Sequence, residues 1–156
     1  MASRLSSGTL TVTVSENLVI THATTSNNIK HVKTTTNSIA GVAQINSRIY
    51  TLKASTTHTL VSFASDPTSG EFDTEDFKYM RITNLDDTNG CTFNLTDTSD
   101  ATLAMQLGAG ESFIITSLGI DGNATGAAIT SAAHTVGNTV IVTGSEIDVE
   151  IVVATA

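Results

Sequence analysis

From residue 8 to residue 14 the chain reads GTLTVTV, with Leu10, Val12 and Val14 alternating against Thr9, Thr11 and Thr13. A period of two puts the aliphatic residues on one face and the threonines on the other, which predicts a half-buried strand. Ser15-Glu16-Asn17 reads as a turn, LVITH at 18–22 as a second strand and ATTSNN at 23–28 as a loop. IKHVKTTT at 29–36 predicts a more polar strand, suited to a sheet edge where its lysines deter stray pairing. Residues 39–54 carry two patterns. Val42, Ile45, Ile49 and Leu52 fall at helical spacing, yet Gly41, Asn46, Ser47 and the run RIYTL favour extended chain. The expectation is a loop or short strand through 39–45 and a strand at 48–54, with a single helical turn near 40–46 as the alternative.

HTLVSFAS at 58–65 is apolar on both faces around Leu60, Val61 and Phe63, which predicts a central strand. SDPTSGEFDTEDF at 65–77 reads as a loop and holds Pro67, the single proline. The clearest stretch follows at 77–117. There FKYMRIT, CTFNLT, TLAMQL and SFIITS are separated by the turn clusters DDTNG, DTSD and GAGE, the mark of consecutive antiparallel strands. Residues 118–138, rich in Gly, Ala and small polar side chains, read as a long excursion loop with one short strand at 126–131. TVIVTG at 139–144 and EIDVEIVVA at 146–154 predict a closing hairpin around Gly144-Ser145.

About ten short strands without a helix predict an all-β fold, an antiparallel two-sheet sandwich of jelly-roll or Greek-key type. A single sheet of that many strands would leave one apolar face bare. The turn DDTNG admits two registers. Asn89-Gly90 as a two-residue turn pairs Thr88 with Cys91 and groups Met80 and Ile82 with Phe93 and Leu95. A five-residue loop from Asp86 to Gly90 pairs Leu85 with Cys91, turns Met80 and Ile82 the other way and leaves both aspartates in solvent. A slip of one residue exchanges the two faces, so the readings exclude each other.

The bulk properties fit one domain over 1–156. A chain of that length buries roughly 68–70% of its unfolded surface, and its 40% hydrophobic content supplies a core. With 4% aromatic residues and no Trp, that core rests on Val, Ile and Leu, while 28 threonines suit solvent-facing strand positions. The net charge of −8, with Lys and Arg scattered, argues against nucleic acid as a partner. No window approaches the roughly 20 apolar residues of a membrane helix, and MASRLSSGTL lacks the apolar centre of a secretory signal. The expectation is synthesis in a cytoplasm.

Candidate chemistry is sparse. Cys91 stands alone, which excludes an intrachain disulfide and a multi-cysteine zinc site, and reads as a small buried hydrophobe. Glu71, Asp73, Glu75 and Asp76 place four acids in six residues, as a calcium loop would, but without EF-hand spacing. DDTNG fails the same pattern, with no Gly at the sixth position counted from Asn84 and Leu95 where the bidentate Glu belongs. His22, His31, His58 and His134 show no metal-ligand spacing, there is no GxSxG elbow, and LGAGE at 107–111 reads as a hairpin turn without a following helix. Asn94-Leu95-Thr96 and Asn123-Ala124-Thr125 match glycosylation sequons that the Asn- and Thr-rich composition explains. The chain therefore reads as a non-enzyme, with no catalytic, cofactor-binding or metal residues assigned and no cofactor.

KYMRITNLDDTN, then LGAGESFII, then the terminus IDVEIVVATA, resemble the small β-sandwich structural proteins of tailed bacteriophages over roughly residues 50–156. That resemblance implies a virion component assembled in a host cytoplasm. Such a protein would be a capsid decoration or cement protein, bound to the major capsid protein or other virion proteins and itself a homo-oligomer, with a trimer favoured. A tail or fibre module binding a receptor glycan is the alternative, weakened by the few aromatic residues available to stack on sugars. Residues 1–7, as an extended arm, and 23–38 are the expected contact segments.

Overall fold

The computed structural model describes residues 7–20, 29–53, 57–97, 102–116, 119–120, 127–135 and 146–156. Every regular element among them is a strand. The chain divides into two compact units, Met1–Val42 and Ala43–Ala156.

The first unit is a two-stranded antiparallel ribbon of β1 (Gly8–Ile20) and β2 (Ile29–Val42), paired residue for residue from Thr9↔Ala40 to Ile20↔Ile29. The expected turn at Ser15-Glu16-Asn17 is absent. These residues continue β1 opposite Thr34, Lys33 and Val32. The physical reason lies in the phase of the apolar residues: Leu10, Val12, Val14, Leu18 and Ile20 all occupy even positions, so one uninterrupted strand keeps them on one face. β2 likewise runs on through Val42, leaving no helical turn near 40–46. The loop expected at 23–28 and the arm through residue 6 lie outside the described residues.

The second unit holds β3 (Gln44–Lys53), β4 (Thr57–Ala64), β5 (Phe72–Asp73), β6 (Phe77–Asn84), β7 (Cys91–Asp97) and β8 (Thr102–Leu107). These are followed by β9 (Ser112–Ile115), β10 (Gly119–Ile120), β11 (Ala127–Thr135) and β12 (Glu146–Thr155). Two sheets result, one ordered β3-β12-β6-β9 and the other β5-β4-β11-β7-β8, with β10 pairing β11. All pairings are antiparallel except the two-residue contact of β5 with β4. Inward residues of both sheets join in one core, with Met80, Ile82, Val149 and Phe93 fully buried. The architecture is thus all-β and sandwich-like. The Tyr50 hydroxyl donates to the Leu60 carbonyl at 3.1 Å, tying β3 of one sheet to β4 of the other. Phe63 packs edge-on against Phe77 at 5.5 Å between centroids.

The strands over 77–155 are arranged in three respects that local pattern did not reveal. First, the strands of 77–117 exist, but β6 and β9 lie in one sheet and β7 and β8 in the other. Neither hairpin register through DDTNG therefore occurs, and LGAGE joins two sheets where a hairpin turn was expected. A type I′ turn needs a left-handed Gly90, whereas the left-handed glycines among the described residues are Gly41, Gly70 and Gly110. Second, β12 is an inner strand, with β3 on one edge from Glu146 to Thr155 and β6 on the other from Val149 onward, while the strand expected at 139–144 and its turn at Gly144-Ser145 lie outside the described residues. Third, the excursion loop contains β11, a nine-residue strand paired with β4 on one side and β7 on the other. β4 itself, read as central from its apolar faces, has only the two-residue β5 beyond it.

Candidate functional site

The best-built polar feature is the corner where the segment 85–90 meets the turn 108–111. β6 alternates Met80, Ile82, Asn84 into the interior, so the chain delivers an amide to a position that burial otherwise reserves for apolar groups. Asn84 is 0% exposed and its bonding capacity is spent locally. Its Nδ2 donates to the Asn89 carbonyl at 2.7 Å and the Gly108 carbonyl at 2.9 Å, while its Oδ1 accepts from the Asp86 N–H at 3.0 Å. Asp86 Oδ1 then accepts from the N–H groups of Thr88 at 2.8 Å and Asn89 at 2.6 Å, closing an Asx turn. Those donors hold the Asp86 carboxyl below the usual carboxylate range. Glu111 Oε2 accepts from the Gly108 N–H at 2.7 Å, and Gly110, with φ near +70°, supplies the left-handed residue. The DDTNG and GAGE clusters are thus one interlocked corner. The signal for it in the sequence is a polar residue at an inward slot of an apolar alternation.

Beside this corner, the outward positions of β12 carry Glu146, Asp148 and Glu150 in a row. Lys53 approaches Glu146 at 3.8 Å, Thr51 donates to Asp148 at 2.7 Å, and Arg81 pairs with Glu150. Asp86, Asp87, Glu146 and Asp148, with Thr51 and Leu85, line an open depression of about 500 Å³. Ile45 and Ile49, outward on β3, are 58% and 64% exposed.

The ribbon is the opposite case, with several large apolar side chains exposed. Val14, Leu18, Val19, Ile20 and Val32 are each between 46% and 60% exposed. One face carries the even residues of β1 with Glu16 bonded to His31 at 3.2 Å. The other is a hydroxyl ladder, Thr13 with Thr36 at 3.5 Å and Ser15 with Thr34 at 3.4 Å, ending in Val19, Lys30 and Val32.

The other candidates are dispersed. Glu71 Oε2 accepts from Thr68 N at 2.8 Å and Thr68 Oγ1 at 2.7 Å, which lowers its pKa, and Asp73 accepts from the Glu75 N–H at 2.8 Å. Glu71 and Asp73 thus close local turns, and among the described residues no group of three His, Cys, Asp or Glu is placed to hold a metal ion. Register sets His58 opposite His134 across β4 and β11, and His58 Nε2 accepts from the Lys53 N–H at 3.3 Å. Cys91 is buried as expected, and burial pushes its thiol up to about 12. Asn94 lies in β7, while His22 and Asn123 lie outside the described residues. No helix among the described residues is long and apolar enough to cross a membrane. No family model matches the chain, and no curated protein or solved structure is significantly similar to it.

Proposed function

We propose that this protein is an assembly module, a structural component whose work is contact with other protein surfaces. Within that class it is a virion structural protein of a tailed bacteriophage. It acts as a capsid decoration or cement protein on the major capsid protein, as a homo-oligomer with a trimer favoured. The β1–β2 ribbon carries the reading. A two-stranded ribbon alone is marginally stable in water, and this one leaves five large aliphatic side chains about half exposed. Surface of that kind marks a site that another protein covers. The resemblance of the 77–117 stretch and the C-terminal strand to small phage sandwich proteins supplies the particular role. With it comes the finer fold, a two-sheet sandwich of jelly-roll or Greek-key type. Repeated crossing of the chain between sheets that share one core supports that fold.

The test is quantitative mass spectrometry of gradient-purified particles, paired with particles assembled without this chain. Cement predicts copies in proportion to the capsid lattice and a loss of tolerance to heat or low salt on omission. A handful of copies would assign it to a tail structure that binds the host surface. Absence from the particle would overturn the proposal.

A further inference from the structure

We infer that the Val19–Lys30–Val32 face of the ribbon docks on the acidic outer face of the four-stranded sheet in a second copy of this chain. The contact does not depend on the assembly being a virion. Charge is divided unevenly between the two units. Residues 1–42 carry three Lys or Arg against one Glu, a net +2, while residues 43–156 carry four against fourteen acids, a net −10. A ribbon therefore meets repulsion from another ribbon and attraction from another body, which selects the pairing by sign.

Local chemistry agrees with the sign. On the docking face Lys30 stands opposite Val19, with Val32 60% exposed beside them, and the ladder beyond is made of hydroxyls with no carboxylate. Glu16 lies on the other face, bonded to His31. On the receiving side four acids surround the open depression, with Leu85 45% exposed at its wall and Ile49 outward on the neighbouring strand. An ammonium between valines thus meets carboxylates between aliphatic side chains, and the ladder hydroxyls donate to carboxylate oxygens.

Ribbon and sheet are different surfaces, so the contact is heterologous: each copy gives one ribbon and can receive another. About seven residues per strand at a rise of ~3.4 Å cover roughly 24 Å by 10 Å. That is well under the ~800 Å² per partner of a stable interface. A single contact is therefore weak, and an assembly built on it needs several such contacts made together.

The experiment mixes the Val32→Cys protein with isotope-labelled Ile49→Cys protein under mild oxidation. Cys91 is buried and stays out of the exchange. The expected result is a mixed-label disulfide dimer about tenfold more abundant than from Val32→Cys with Leu103→Cys, which lies on the other sheet. Adding Lys30→Glu to the ribbon protein should abolish the excess, and Asp148→Lys in its partner should restore it. Equal yields from both pairs, or indifference to Lys30→Glu, would overturn the inference. Should a cysteine variant melt early, the unsubstituted protein, half of it labelled, is treated with a zero-length carbodiimide. Lys30 joined to Asp86, Asp87 or Asp148 across labels supports the contact, and its confinement to one label, or its absence, refutes it.

Discussion

Replacing Asn84 with alanine removes the amide that holds the corner between β6, the segment 85–90 and the turn 108–111. Three hydrogen bonds disappear, to Asn89, Gly108 and Asp86, all between 2.7 and 3.0 Å. Each is worth about 1 kcal/mol net, and a buried partner left unsatisfied costs about 1–3 kcal/mol. All three partner residues are only partly buried. Asn89 and Gly108 are partly exposed and can recruit water, so the full penalty does not fall on every group. The expected loss is therefore about 3 kcal/mol. Urea unfolding followed by tyrosine fluorescence measures it, since Tyr50 and Tyr79 both report on the second unit. Thr83→Ala is the neighbouring control. It breaks an exposed 2.9 Å contact with Ser112 and should cost about 0.5 kcal/mol. Asn84→Asp tests the chemistry, because a carboxylate cannot donate to the two carbonyls and should not rescue. A loss for Asn84→Ala below ~1 kcal/mol would show that water replaces the amide and that the corner does not depend on it.

Cys91 should resist thiol reagents until the protein unfolds. Because the folded thiol titrates near 12, the contribution of Cys91 to stability is fully present below the unfolded thiol's ordinary range and declines as pH rises from there towards the folded value. Comparing alkaline unfolding midpoints of the parent and Cys91→Ala should show the parent losing stability faster. Asp86 has the opposite sign. Its depressed pKa means that its contribution is present at neutral pH and lost as pH falls through the folded value, so the stability gap between parent and Asp86→Ala should close in acid. Phe93→Ala, at a fully buried position contributed by β7, should cost about 3–5 kcal/mol in the same urea assay, while a loss under ~1 kcal/mol would contradict its place in the core.

Some of this was legible in the residues. The alternation of Cys91, Phe93 and Leu95, and of Ile147, Val149, Ile151 and Val153, marks strands whose inward faces are the ones buried. Turn chemistry misled at Ser15-Glu16-Asn17, where the ladder to Thr34, Lys33 and Val32 outweighs the local preference. It misled again at Asn89-Gly90, where the Asp86 side chain and the buried Asn84 amide turn the chain towards the opposite sheet. Residues 127–135 show the converse. AAITSAAHT has a weak strand pattern, yet backbone ladders to β4 and β7 make it a central strand.

Legible from the residues alone were the all-β class, the place of most strands and the core position of Cys91, together with the lack of a familiar catalytic spacing. A period of two is a local property, fixed by which side of the pleat each residue occupies. Which strands are neighbours is set by packing in three dimensions, because one alternation serves a hairpin or a crossing between sheets equally well. The partners of β12 lie about seventy and a hundred residues away along the chain, with Arg81 near Glu150 and Ser47 near the same carboxylate. That pairing, and the Asn84 amide whose partners reach to Gly108, follow from contacts distant along the chain, which no short window contains.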